Sequence, residues 1–229
     1  MPTIAVVGAG SGLGLSVARS FGRRGFDVAL VARTKASVDD LADRLAGEGI
    51  TAAGFPADVT DSATVAAAFD EIADRFGPVD VLDYTPAPQP ADVRRVHSLD
   101  VTADDLRPTM ELMFYGAITA TRQVLPAMLE RGTGTLLYGS GASSMLPLPM
   151  LGTYGPAGAA LRQWVLMLNR SLAPRGVYAA HVAIGVMIGN GEPENDPDII
   201  AERFWRLHDE RAEPEILYGT LPPELLEAL

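Results

Sequence analysis

Gly8, Gly12 and Gly14 follow the apolar run Ile4-Ala5-Val6-Val7 directly and precede a segment, 13–22, with helical spacing. A buried strand that ends in a glycine-rich turn and opens a helix places backbone N–H groups where a pyrophosphate can dock on the helix dipole. The three glycines serve different needs: Gly8 a tight turn, Gly12 close approach of backbone to ligand, Gly14 close packing of helix on strand. Ser11 and Leu13 lie in the same turn and complete the candidate phosphate cradle. A glycine turn alone is a weak signal, but a second strand at 26–32 follows at the spacing a nucleotide-binding unit requires. Two other residues could move protons. Asp83 ends an apolar strand and reads first as a solvated or capping aspartate, second as a buried acid or base. His181 lies inside a later strand and reads as a core or interface residue.

The elements that must position these groups alternate along the chain, each apolar run being followed by a turn and an amphipathic helix, as in a parallel sheet covered on both faces. Strands are expected at 4–7, 26–32, 51–56, 79–84, 135–139 and 177–184, with an edge strand at 216–218. Helices are expected at 13–22, 36–47, 63–76 (capped by Thr60), 103 to about 131, 154–173 and 200–211. Pro108 lies early in the long helix that Thr102, Asp104 and Asp105 open, and can bend it. The reading is α/β: a single Rossmann-type doubly wound parallel sheet of six or seven strands, one dinucleotide-binding domain over 1–229. A proline-rich loop at 85–96 and a polar loop at 188–197 lack diagnostic chemistry, and 186–212 is the expected substrate-lid segment.

With 18 Lys and Arg against 29 Asp and Glu, and no basic tract, nucleic acid and anionic membrane surfaces are disfavoured as partners. The absence of cysteine removes disulfides, thiolate metal sites and cysteine nucleophiles. His97, His181 and His208 show no ligand spacing, so no metal is expected. A first strand so close to Met1 argues against a signal peptide, no apolar run has the length of a membrane span, and a cytoplasmic protein is expected.

The spacing Gly8-x-x-x-Gly12-x-Gly14, with Tyr154 ahead of an apolar helix, resembles the short-chain dehydrogenase/reductase family over nearly the whole chain. The resemblance implies an oxidoreductase acting on a small-molecule substrate, using NAD or NADP, usually as a homodimer or homotetramer. It implies catalytic roles for Ser140, with Ser143 as fallback, and Tyr154. It also places Asp58 and Val59 at the adenine, and Pro86, Gly185 and Met187 along the cofactor. Arg33 stands where an acidic residue would hold a ribose hydroxyl and Ala32 before it carries no carboxylate, so NADP is favoured over NAD. The plain alternative for Arg33 is a solvated loop residue, and Asp58 taken alone could equally be part of a turn before the helix.

The nicotinamide half departs from the family pattern. Tyr84-Thr85-Pro86-Ala87 replaces Asn-Asn-Ala-Gly, Met113 falls where the helix asparagine belongs, Gly158 stands in place of the lysine of Tyr-x-x-x-Lys, and Ile184 in place of a proline. Without a nearby cation the tyrosinate left by Tyr154 is poorly stabilised; two to three pKa units correspond to roughly 3–4 kcal/mol, or about 100- to 1,000-fold in rate. Arg162 lies two turns beyond Tyr154, roughly 12 Å along the axis, too far for contact. Lys35, the only lysine, belongs at the other end of the dinucleotide. Three functions remain open: an NADP-dependent oxidoreductase with a remodelled centre for a small carbonyl, alcohol or imine; a non-catalytic NADP-binding partner or sensor; and a non-redox enzyme (isomerase, dehydratase or cyclase) using Asp83, Tyr84 or Tyr154.

Overall fold

The computed structural model describes residues 1–87 and 95–220; the stretch 88–94 of the expected proline-rich loop lies outside the described residues. The chain runs β1 (Thr3–Val7), α1 (Leu13–Gly22), β2 (Asp27–Ala32), α2 (Lys35–Gly47), β3 (Ala52–Pro56), α3 (Ser62–Phe76) and β4 (Val81–Tyr84). It continues through α4 (Ala103–Met110), a π-helical turn (Glu111–Tyr115), α5 (Gly116–Arg131), β5 (Gly134–Gly141), α6 (Tyr154–Leu172), β6 (Val177–Ile184), α7 (Pro197–Glu210) and β7 (Glu215–Tyr218). Seven strands form one sheet in the order β3-β2-β1-β4-β5-β6-β7. Every pairing is parallel. This is the doubly wound arrangement expected, with the strand order reversing between β1 and β4.

Both sheet faces are buried, which explains why the strands read as near-continuous apolar runs rather than alternating ones. One face carries Ile4, Val6, Val28, Leu30 and Val81 against α1, α2 and α7, where Phe21, Leu45, Ile200 and Phe204 are fully buried. The other carries Ala5, Leu82, Tyr84, Leu136 and Tyr138 against α3, α5 and α6.

Two local expectations are corrected. The long helix after Thr102 is broken, not at Pro108, which lies inside α4 two residues before its end, but at the π-turn Glu111–Tyr115. There the Tyr84 hydroxyl, reaching up from β4, donates to the Leu112 carbonyl at 2.6 Å, and Gly116 is needed because a Cβ would overlap the Tyr84 oxygen. An inserted partner of this kind is a standard cause of a wide turn. The α3 cap is Asp61, whose carboxylate accepts from Ala63 N at 2.9 Å, because the Thr60 hydroxyl is committed to Asp58 Oδ1 at 2.7 Å. Replacing Asp61 by Ala should cost about 1 kcal/mol in urea denaturation, whereas Thr60→Ala should leave the α3 start capped.

Candidate functional site

The carboxyl ends of β1, β2 and β4 meet at Gly8. Its φ is +95°, and an added Cβ would lie 2.5 Å from the Pro86 Cα and 2.6 Å from its nitrogen. Both Gly8 N–H and Ala9 N–H donate to the Val31 carbonyl, at 2.9 and 3.1 Å. Around Gly12, by contrast, nothing lies within 4 Å of where a Cβ would be, and at Gly14 a Cβ would press on the Ala9 Cα at 3.0 Å. The three glycines therefore make a tight turn, leave open space and allow close packing, in that order. Gly12 is the α1 N-cap and makes no side-chain cap; Leu15 N–H turns back to the Gly10 carbonyl at 2.9 Å, and the N–H groups before it, in the turn that also holds Ser11 and Leu13, are those a helix leaves unpaired at its start.

Beside this turn, Arg33 is exposed just past β2 and makes no ion pair among the described residues. Asp58 follows β3, and its carboxyl is held below the usual range chiefly by the Thr60 N–H, then by the Thr60 hydroxyl, with the Arg33 charge adding a smaller pull. Val59 is buried next to it. Lys35 is engaged by Asp39 at 2.7 Å.

The other half of the carboxyl edge is built by β5, β6 and the start of α6. Ser140 is almost buried on β5. Tyr154 opens α6, half-buried. The α6 start sits close on the short 3-10 turn Ala142–Ser144: a Cβ on Gly155 would be 3.3 Å from the Ser143 carbonyl oxygen. At Gly158 a Cβ would meet the Ser144 Cβ at 2.9 Å and the Met113 Cε at 3.6 Å. The two positions where the family resemblance led us to look for lysine and asparagine thus adjoin one another, filled by a glycine and a methionine methyl. Gly185 donates to the Tyr218 carbonyl at 2.8 Å, and Met187 beyond it is exposed.

Three readings of single residues change or sharpen. Asp83 is not solvated but fully buried, facing the α1 and α7 side with Val6 and Leu137 as strand neighbours. Thr85 donates to its Oδ1 at 2.7 Å, Oδ2 has no partner among the described residues, and burial pushes the carboxyl up to about 7 against the smaller opposing effect of Thr85. Tyr84 is also fully buried, with its proton committed to Leu112 and its ionisation pushed far up by burial, which makes it a structural hydroxyl rather than an acid or base. His181 is in the core as expected, but its Nε2 lies 2.8 Å from Ser140 Oγ. Behind it, Nδ1 is 3.4 Å from Glu215 Oε1, and Arg162, remote from Tyr154 in use, grips Glu215 at 2.5 and 2.7 Å. Sequence reasoning missed this group. The one available signal was a histidine in the strand after the serine's own.

Residues 2–196 match the family model for short chain dehydrogenases, and the chain belongs to that family. A fatty acyl-CoA reductase of Mycobacterium tuberculosis is 30% identical over 77% of this chain. The chain spans 60% of the length of that relative and about half, 49%, of a very-long-chain 3-oxoacyl-CoA reductase of Aspergillus terreus. A 2-(S)-hydroxypropyl-CoM dehydrogenase of Xanthobacter autotrophicus is 29% identical over 99% of this chain and 87% of its own. The relatives are reductases and dehydrogenases, the oxidoreductase class. Among solved structures, a short-chain dehydrogenase of Streptomyces avermitilis covers 100% of this chain with a TM-score of 0.83 at 24% identity. The L-sorbose reductase of Gluconobacter frateurii, in complex with NADPH and L-sorbose, covers 96% with a TM-score of 0.84 at 21% identity; these likenesses establish the fold.

Gly8→Ala should remove several kcal/mol of stability in thermal unfolding, since both the left-handed backbone and the Pro86 contact oppose it. Asp83 gives a prediction with a definite sign. Its folded pKa is raised, so the stability it contributes is present below the ordinary carboxylate range and is lost as pH rises through about 7. Asp83→Asn keeps the acceptor for Thr85 and cannot ionise, so it should match the parent at about pH 4 and exceed it at about pH 8 by on the order of 2–4 kcal/mol in urea denaturation.

Proposed function

We propose that the crevice at the carboxyl ends of β1, β2 and β4 holds NADP(H), and that the protein is an NADP(H)-dependent oxidoreductase with a remodelled nicotinamide half, acting on a small carbonyl, alcohol or imine. The observation that carries this reading is the Gly8 to Gly14 turn: closed by Pro86 on one side and open around Gly12 on the other, with exposed Arg33 beside it. In this reading, Gly8, Ser11, Gly12, Leu13 and Gly14 receive the pyrophosphate, Arg33 the ribose phosphate, and Asp58 and Val59 the adenine. Pro86, Gly185 and Met187 border the nicotinamide, and Ser140 and Tyr154 face the substrate. Support comes from neighbours in this fold solved with NADPH or NADP, among them the sorbose reductase and a gluconate 5-dehydrogenase of Burkholderia cenocepacia.

The dinucleotide would supply or accept the hydride. Ser140 and Tyr154 would orient the substrate oxygen and handle its proton, without a lysine at 158 to stabilise the tyrosinate. The segment 186–212 acts as the substrate cover in this proposal: 187–194 is exposed throughout, ahead of α7, whose Ile200, Ala201 and Phe204 anchor it to the core. Assembly as a homodimer or homotetramer in the cytoplasm belongs to the same proposal. Among the described residues no helix is long and apolar enough to cross a membrane.

A second reading, a non-catalytic NADP(H)-binding protein, is favoured by one observation: Ser144 crowds the place where any Cβ at Gly158 would sit, at 2.9 Å. Isothermal titration with NADP, NADPH, NAD and NADH, followed by turnover on mixed alcohols, carbonyls and imines, separates the two; tight binding with no turnover selects the second. Arg33→Ala should lower the preference for NADP over NAD by about 10- to 100-fold. Gly12→Ala should cost about 1 kcal/mol in unfolding, well short of the loss at Gly8, while weakening dinucleotide binding at least about 10-fold. Failure of all four dinucleotides to bind would overturn both readings.

A further inference from the structure

On the sheet face toward α6, β5, β6 and β7 present a continuous polar line in an otherwise apolar layer. His181 is fully buried on β6, opposite Tyr138 on β5 and Glu215 on β7 in strand register. Ser140 Oγ lies 2.8 Å from Nε2. On the far side of the ring, Glu215 Oε1 is 3.4 Å from Nδ1 and is itself held by Arg162 from α6. These are the charged and titratable groups facing the imidazole: Tyr138 and Ser140 from β5, Glu215 from β7 and Arg162 from α6. The Tyr138 hydroxyl is occupied by Thr121 at 2.6 Å. Nδ1 makes no hydrogen bond among the described residues, and its nearest charge is the Glu215 carboxylate at 3.4 Å; that anion favours the tautomer with the proton on Nδ1, since a lone pair there would be repelled by it. Nε2 is then the acceptor, and Ser140 donates to it at 2.8 Å in preference to the Gly141 carbonyl at 3.4 Å. The serine's proton points inward, and its lone pairs remain for the cleft.

Burial lowers the imidazole pKa to about 4, against a raising effect of Glu215 and a further lowering by Arg162, so the ring is neutral and able to accept at neutral pH. Tyr154, the cleft's other proton-handling residue, has no lysine at 158 to stabilise its anion, and among the described residues the remaining candidates are accounted for elsewhere. Gly158 carries no charge, Lys35 is paired with Asp39 at the other end of the crevice, and Asp83 faces the opposite side of the sheet.

We propose that His181 is the proton-accepting partner of Ser140, so that Ser140 acts as the base toward a substrate hydroxyl and Glu215 holds the imidazolium that results. This rests on the reading of the cleft as an oxidoreductase site. In the oxidising direction the substrate C–H bond breaks as hydride passes to the oxidised nicotinamide dinucleotide, so the carbon is oxidised and the dinucleotide reduced. The substrate O–H bond breaks toward Ser140 Oγ while the serine's own proton moves to Nε2. The products are a carbonyl, the reduced dinucleotide and one proton on His181, which returns through Ser140 to water after product leaves. Reduction runs the same path backward. Ser140 touches the substrate and is the catalytic residue; His181 acts through it and is a positioning residue. An inward-held proton also sets the substrate class for the resting site: a group with a hydrogen to donate, namely an alcohol.

The test uses the full chain in two measurements. Nitrogen NMR of protein labelled at its three histidines, with no ligand and near neutral pH, should show His181 protonated on Nδ1, and Ser140→Ala should shift its Nε2 resonance. In NADP reduction with a panel of small secondary alcohols, His181→Gln should lower kcat by about 100- to 10,000-fold with the dinucleotide Kd unchanged. Its residual rate should rise with pH as solvent takes over as base, whereas the parent should be flat over about pH 6 to 9. Glu215→Gln, which leaves the buried ring in place, should lower kcat by about 10-fold and drop the His181 pKa further. An Nε2-protonated His181, or a His181→Gln variant that binds the dinucleotide and keeps the parent's kcat and pH profile, overturns the relay and leaves the oxidoreductase reading standing. A parent protein that binds dinucleotide and turns over no alcohol or carbonyl overturns that reading and the relay with it.

Discussion

Backbone meets backbone where β1 and β4 leave the sheet. Strand order reverses between them, so their connections diverge, and the crevice that opens is bounded by Gly8 on one side and Pro86 on the other, too close for any Cβ to intervene. The Val31 carbonyl, accepting from both Gly8 and Ala9, ties the end of β2 to the same point. The start of α1, Arg33 beyond β2 and Thr85 to Ala87 beyond β4 all take their positions from this junction. That is why Gly8 is bound to the fold by its surroundings while Gly12 stands in open space.

The glycine turn was legible in the sequence because its constraints are local. A left-handed turn, an open N-cap and a close helix–strand contact each demand glycine at a fixed offset, and an alternating strand and helix pattern leaves few ways to connect them. The family resemblance rests on the same residues. What escaped was set by groups distant in sequence. Residues 103 to 131 carry a continuous helical pattern, and the wide turn within them exists because Tyr84, on another element, captures the Leu112 carbonyl. Thr60 looked like the α3 cap until Asp58 took its hydroxyl and Asp61 replaced it. Asp83 closes its strand and reads as exposed, yet β4 is flanked by β1 and β5, and helices cover both faces. Nothing near Asp83 in the sequence records that.

The polar line through His181 is the extreme case. Ser140, Arg162, His181 and Glu215 belong to four elements, and only the parallel register of β5, β6 and β7 sets Glu215 level with His181 and Ser140 two residues beyond Tyr138, the ring's β5 partner. Each alone has an ordinary reading: a strand-end serine, a solvated arginine, a core histidine, an edge glutamate. Their chemistry is a property of the pairing. The Glu215 and Arg162 pair also cannot be separated from the ring it borders, since removing either partner would leave a partly buried charge beside an imidazole already disfavoured as a cation.

Burial acts with opposite signs on Asp83 and His181 in the sheet and on His208 of α7, which packs against it at Thr135. It raises Asp83 to about 7 and lowers His181 and His208 to about 4, so between those values all three are neutral. Folding therefore takes up a proton at the aspartate and excludes one at each histidine, and the pH dependences partly cancel. Their neutrality makes proton movement selective. Asp83 lies across the sheet from Ser140, Tyr84 and Tyr138 hold their protons on Leu112 and Thr121, and His208 is turned to Thr135. A proton arriving at Ser140 from the cleft meets one neutral acceptor with a carboxylate behind it, and burial of that acceptor keeps its lone pair available at the pH where the dinucleotide end of the crevice would be occupied.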